Sequence, residues 1–125
     1  FPVGTINIMI SLNISLPSAI MTRAIITITE GKTAALQDLG IADVNNGLPA
    51  TGTGTDGITL ITDPDAPRYT DAGTFSVLGS LLASAAYETV RECLELYDKP
   101  WNRDDSLATP PAVDLSRLRN KECGH

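Results

Sequence analysis

Basic residues, histidine, cysteine and aromatics are all scarce in this chain of 125 residues. Nine lysines and arginines stand against fifteen aspartates and glutamates, a net charge of −6. With no basic run, the chain lacks the electrostatic footprint of a nucleic-acid or anionic-membrane binder, and neither partner is expected. The single histidine is the last residue, His125. Neither a Ser–His or Cys–His dyad nor a histidine-built zinc site is therefore expected, and no metal is assigned. Two cysteines, Cys93 and Cys123, are too few for a disulfide framework and lack metal-ligand spacing. They read as reduced thiols of a cytoplasmic protein, with Cys93 a small core residue on a helix. No apolar run reaches membrane-spanning length, and no secretory signal pattern is present. The chain also lacks an initiator methionine and begins Phe1-Pro2. Two convincing strands are too few for a self-sufficient sheet, so an upstream portion is expected to be missing.

What the sequence does have is a run of alternating glycine and threonine, Ala50-Thr51-Gly52-Thr53-Gly54-Thr55-Asp56-Gly57, leading straight into Ile58-Thr59-Leu60-Ile61. Glycine lets a backbone pass close to a ligand. The threonine hydroxyls donate or accept, and successive N–H groups in such a loop converge on an anion or a carbonyl oxygen. Asp56 closes the run with a carboxylate. The plainer alternative is a turn whose Thr and Asp side chains satisfy their own backbone. A nucleotide phosphate loop fits poorly, because no lysine follows the last glycine and a strand, not a helix, comes next.

Ahead of that loop, Thr5 to Asn13 alternates with the period of a strand. Ile6, Ile8, Ile10 and Leu12 fall on one face, and Asn7 on the more polar one. Pro17 sits at a helix start with Ser18 as its cap. A helix then runs from Ala19 to Leu39, its apolar stripe formed by Met21, Ile25, Ile28, Ala35 or Leu36, and Leu39. Arg23, Thr27, Glu30 and Gln37 mark the other side, and Gly40 ends the helix in a left-handed cap. Ile41 to Pro49, with Asn45-Asn46-Gly47, is a turn or loop. The second strand spans Gly57 to Thr62. A second helix runs from Thr74 to Tyr97, with Phe75, Leu78, Leu82, Val90 and Leu94 inward and Glu88, Arg91, Glu92 and Glu95 outward. Gly79, Ala83 and Ala86 on it are small enough for close approach of a neighbour. The expected fold is α+β: strand, helix, loop, strand, helix, with a mixed sheet and both long helices packed on one face. Residues 1–98 would form this domain, itself part of a larger one, and 99–125 an extended tail.

The carboxylates Glu30 and Asp56 are the candidates for acid–base work, with Lys32 the nearest cation in sequence. Glu30 and Lys32 are two apart on one helix and so do not face each other. The plain alternative is that both are solvated helix charges.

Three stretches taken together resemble a known family. Gly4-Thr5-Ile6-Asn7-Ile8, Thr29-Glu30-Gly31-Lys32-Thr33-Ala34-Ala35-Leu36 and Ala50-Thr51-Gly52-Thr53-Gly54-Thr55-Asp56 are similar, in order and spacing, to motifs of the adenosylcobinamide amidohydrolases (CbiZ). The resemblance covers roughly Gly4 to Leu96. It departs at Gly31, where the family pattern has alanine, and at Thr74-Phe75, where a histidine is often found.

The resemblance implies hydrolysis of the amide between the aminopropanol arm and the corrin ring, as a step of cobalamin salvage. The substrate would be a corrinoid that carries its own cobalt, with no separate cofactor. Asp56 or Glu30 would activate water, and Lys32 would orient the carboxylate or protonate the leaving amine. Thr53, Thr55 and the loop N–H groups would hold the oxyanion. Asn7, Thr51, Gly52 and Gly54 would complete the substrate site. A direct threonine nucleophile is the variant of this scheme, and a non-catalytic corrinoid-binding or regulatory domain is the competing class. A homo-oligomer, or association with a missing N-terminal segment, is left open.

Overall fold

The isoleucine alternation at the start of the chain folds as a strand, with its apolar face covered. The computed structural model describes residues 4–97. Its elements are β1 (Asn7–Ser11), α1 (Ser18–Asp38), β2 (Gly57–Ile61) and α2 (Val77–Tyr97), the α+β order expected from the sequence. The strands pair in parallel, Asn7 opposite Gly57 through Ser11 opposite Ile61. Among the described residues the sheet is therefore parallel, where a mixed one was expected. A parallel pair needs a long crossover, and α1 with the segment after it supplies one. The Cys123 thiol and the tail at 99–125 lie outside the described residues. No helix described is long and apolar enough to cross a membrane.

One core joins sheet and helices. Ile10, Leu16, Ala24, Ile28, Ala72, Leu78, Leu82 and Ala86 are buried together, with Ile8, Leu12, Ile58 and Leu60 packed against them. The opposite sheet face carries the exposed Met9 and Ile61.

Helix α1 starts one residue earlier than expected. Pro17 is the cap, its carbonyl accepting from Ile20 and Met21 at 2.9 Å, and Ser18 is already helical. The far end is as expected. Gly40 has φ +68°, its N–H donates to Gln37 at 3.0 Å, and Ile41 donates to Leu36 at 3.1 Å. These paired bonds form a Schellman cap, which satisfies two carbonyls the helix leaves open.

The buried stripe of α1 is Ala24, Thr27, Ile28, Gly31, Lys32, Ala35 and Leu36. It has helical spacing and keeps Ile28, Ala35 and Leu36 of the expected stripe, but Ile25 is outside it and Ala24, Thr27, Gly31 and Lys32 are added. Ile25 and Ile26 face outward, whereas Thr27, assigned to the wet side, is fully buried and donates to the carbonyl of Ala72 at 2.7 Å. Small residues won because α2 comes so close. A Cβ added at Gly31 would collide with the carbonyl of Ala83. The glycine that departs from the family pattern is thus where the two backbones meet.

Helix α2 begins at Val77, three residues later than expected. Ser76 caps it, its Oγ accepting from the N–H of Gly79 at 2.9 Å and donating to the carbonyl of Gly73 at 2.6 Å. That turn leaves Phe75 outside the helix and fully exposed, not in the core. Cys93 also departs from expectation: it is an exposed, free thiol on α2. Its pKa is pushed up by partial burial and by Glu92, which leaves it no more nucleophilic than an ordinary thiol. Glu88, Arg91, Glu92 and Glu95 are exposed as expected.

In an open helix, Gly→Ala stabilises by up to about 1 kcal/mol. Gly31→Ala should reverse that sign and destabilise by about 1–3 kcal/mol, the usual range for overpacking. Urea unfolding of the variant beside the wild type measures it.

Candidate functional site

Three chain segments far apart in sequence meet at the Asp56 carboxylate. The glycine–threonine loop carries Asp56 to the entrance of β2, the start of β1 lies alongside, and α1 delivers Lys32 from the face that packs inward. Lys32 donates to Asp56 Oδ2 at 2.6 Å, with both side chains nearly buried (9% and 12% exposed). The same oxygen accepts from the N–H of Thr53 at 2.9 Å. Oδ1 accepts from the Thr53 hydroxyl at 2.6 Å and the N–H of Ile6 at 2.9 Å. Gly52 covers the pair. A Cβ there would lie 2.5 Å from Asp56 Oδ2 and 2.7 Å from Lys32 Nζ, so only glycine lets the loop close over it.

Burial by itself would raise the pKa of Asp56. The Lys32 ammonium, the Thr53 hydroxyl and the N–H groups of Thr53 and Ile6 outweigh it and lower the pKa from 3.8 to about 2. Hydrogen bonds to the charged form have this effect. Asp56 thus stays ionised at any ordinary pH. A general base works best with a pKa near the working pH, so this carboxylate is better suited to holding a cation and a loop than to taking a proton from water.

The loop is fastened on its outer side too. The Thr33 hydroxyl donates to the carbonyl of Thr51 at 3.1 Å, and the hydroxyls of Thr55 and Thr5 are hydrogen-bonded to each other. Asn7 is exposed on the strand edge opposite Gly57, where an added Cβ would stand 2.9 Å from its Oδ1. Gly54 is exposed at the tip.

Of the residues picked from sequence, Lys32, Thr53 and Asp56 are in direct contact. Gly52 lies against the pair, and Thr51, Gly54, Thr55 and Asn7 surround them. Glu30 is not brought in. It sits about 200° around α1 from Lys32, is exposed, and makes no hydrogen bond or ion pair among the described residues.

Alongside the loop opens a half-enclosed cavity of about 290 Å³, which Gly52, Thr53 and Gly54 line on one side. Residues 41–45 line it as well, in a turn where Asp43 Oδ1 accepts from the N–H of Asn45 at 2.7 Å; just beyond them Gly47 takes φ +72°.

The family model for adenosylcobinamide amidohydrolase (CbiZ) matches residues 1–101, which takes in all of this geometry. The chain belongs to that family. A relative, an uncharacterized protein of Methanocaldococcus jannaschii, is 41% identical over 99 residues, 78% of this chain and 38% of its own length. The chain thus spans well under half of that relative. No solved structure matches.

Within this amidohydrolase-family chain, several site-building parts escaped the sequence. The N–H of Ile6 has no side-chain signature at all. Thr33 stood inside a quoted motif, one position after Lys32, but a hydroxyl one helical turn from a loop looks the same as one in water. The turn at 41–45 read as a connection, although it walls the cavity.

A depressed carboxylate pKa gives stability that is present above the unfolded value and is lost as pH falls through the folded one. For Asp56 that window runs from about pH 4 down to about pH 2. Across it, wild-type protein should lose on the order of 2 kcal/mol more than Asp56→Asn, since one pKa unit is about 1.4 kcal/mol. Urea titrations at pH 2, 3, 4 and 6 read this difference.

Proposed function

We propose that the protein hydrolyses the amide linking the aminopropanol arm of adenosylcobinamide to its corrin ring, giving adenosylcobyric acid. The observation that carries this reading is the family match, which spans the strand entrance, Lys32 and the Asp56 loop together. Water adds to the amide carbonyl carbon, forming a C–O bond. The C–N bond then breaks, and the amine leaves with a proton. Cobalt takes part only as a component of the substrate. The reaction belongs to the salvage of scavenged corrinoids for cobalamin synthesis, in the cytoplasm.

On this reading Asp56 is a positioning residue. It fixes the Lys32 ammonium beneath Gly52 and the backbone of the loop above. The N–H groups of Gly52 and Gly54, which make no backbone hydrogen bond among the described residues, hold the developing oxyanion. Lys32 adds fixed positive charge at short range in a site with little water, where such charge acts most strongly. Asn7 and Thr51, at the rim, contact the amide side chains of the corrin.

One observation favours a second reading, a corrinoid-binding domain without turnover. Both oxygens of Asp56 are already filled by donors, and Glu30 makes no contact with them, so neither candidate base is poised over the loop.

A single incubation separates the two readings. Purified protein is mixed with adenosylcobinamide, and adenosylcobyric acid is sought by mass spectrometry. Release of the acid is the expected result, with kcat lowered about 10²–10³-fold in Lys32→Met, the range for loss of one oxyanion-stabilising group. Corrinoid retained through gel filtration but not cleaved would establish the binding domain. Neither retention nor cleavage would sink both.

A further inference from the structure

Resting on the amide-hydrolysis reading, we propose that the cavity beside the glycine–threonine loop is the subsite for the leaving-amine arm, a short aliphatic amine, while the macrocycle stays outside. Size is the first argument. At about 290 Å³ the cavity lies just below the range that holds drug-sized ligands, far too small for a corrin but roomy for a three-carbon arm. The amide has two sides, and only the amine side is small. The acyl side carries the ring.

The chemistry of the walls is the second argument. Leu36, Ile41, Val44 and Leu94 give an apolar lining suited to the methyl and methylene groups of the arm, and Thr53 brings polar atoms to the side nearest the ion pair. Position is the third. Gly52 and Thr53 border both the cavity and the Lys32–Asp56 pair. An arm seated in the cavity therefore ends, at its nitrogen, beside the loop whose donors would receive the carbonyl oxygen. The fit of the arm then positions the scissile bond.

The test compares adenosylcobinamide with the methylamide of adenosylcobyric acid, which has the same corrin and the arm cut to a single methyl. Wild-type kcat/KM should favour the full arm by about 10–200-fold, the discrimination an apolar pocket achieves. Filling the cavity with Ala42→Phe, and separately with Val44→Phe, should bring that ratio close to one. Both positions are exposed, so the fold has room for the larger side chain, and circular dichroism checks it. A ratio near one in the wild type, or a wild-type preference that survives both substitutions, overturns the subsite. So does an equal loss on both amides.

If wild-type protein cleaves neither amide, the hydrolysis reading fails and equilibrium dialysis judges the subsite by itself. Adenosylcobinamide held at least about 10-fold more tightly than adenosylcobyric acid, with the margin lost in Ala42→Phe, supports it. Equal retention of the two corrinoids overturns it.

Discussion

The ion pair between Lys32 and Asp56 is the contact on which the rest of the site depends. Two charges drawn almost wholly out of water are favourable only when their hydrogen-bonding capacity is met. On the Asp56 side it is met by Lys32, by the Thr53 side chain and backbone and by the backbone of Ile6. The same bonds join helix α1, the entrance of β1 and the loop before β2. Without the pair, the glycine–threonine loop would be held by two threonine contacts on its outer side and by backbone bonds at its ends, Ala50 to Ile41 and Gly57 to Ile6. With it, the loop is held from within, and Gly52 seals the place.

The lysine could not arrive there on an ordinary helix. It lies on the face of α1 that packs inward, one residue after the glycine that meets the carbonyl of Ala83. A conventional leucine stripe would hold α2 farther off. Small residues at Ala24, Gly31 and Ala35 bring the helices together instead. The Schellman cap at Gly40 then turns the chain into the 41–49 turn, which brings the loop back over Lys32. Helix packing and site geometry are thus solved by the same few residues.

Much of this was legible in the sequence, for reasons that can be named. The alternation of Ile6, Ile8 and Ile10, and the proline and glycine flanking α1, are local signals, and they gave the order of elements and the α+β class. The glycine–threonine run marked the loop correctly, because glycine and threonine in alternation serve few other purposes. The inward face of α1 was read only in part, with Ile28, Ala35 and Leu36 placed correctly. Hydrophobicity was the guide, and the structure buries Thr27 and Lys32 while leaving Ile25 and Ile26 outside. A buried polar residue is recognisable only once its partner is known, and the partners, Ala72 and Asp56, are 45 and 24 positions away. Phe75 failed for a different reason. Ser76 makes a better helix start than anything before it, and that cap overrode the apolar spacing. Glu30 was a candidate for acid–base work beside Asp56, but it lies on the exposed side of α1, turned away from Lys32 and the loop.

Backbone touching backbone at Gly31 also has a mechanical meaning. Helices separated by long side chains can slide or part as rotamers change. Helices in carbonyl contact have no such play, since a packed interface is not continuously deformable. α1 and α2 therefore behave as one rigid body, and Lys32 is fixed to it. Between α1 and β2, by contrast, the chain passes twice through the left-handed region, at Gly40 and Gly47.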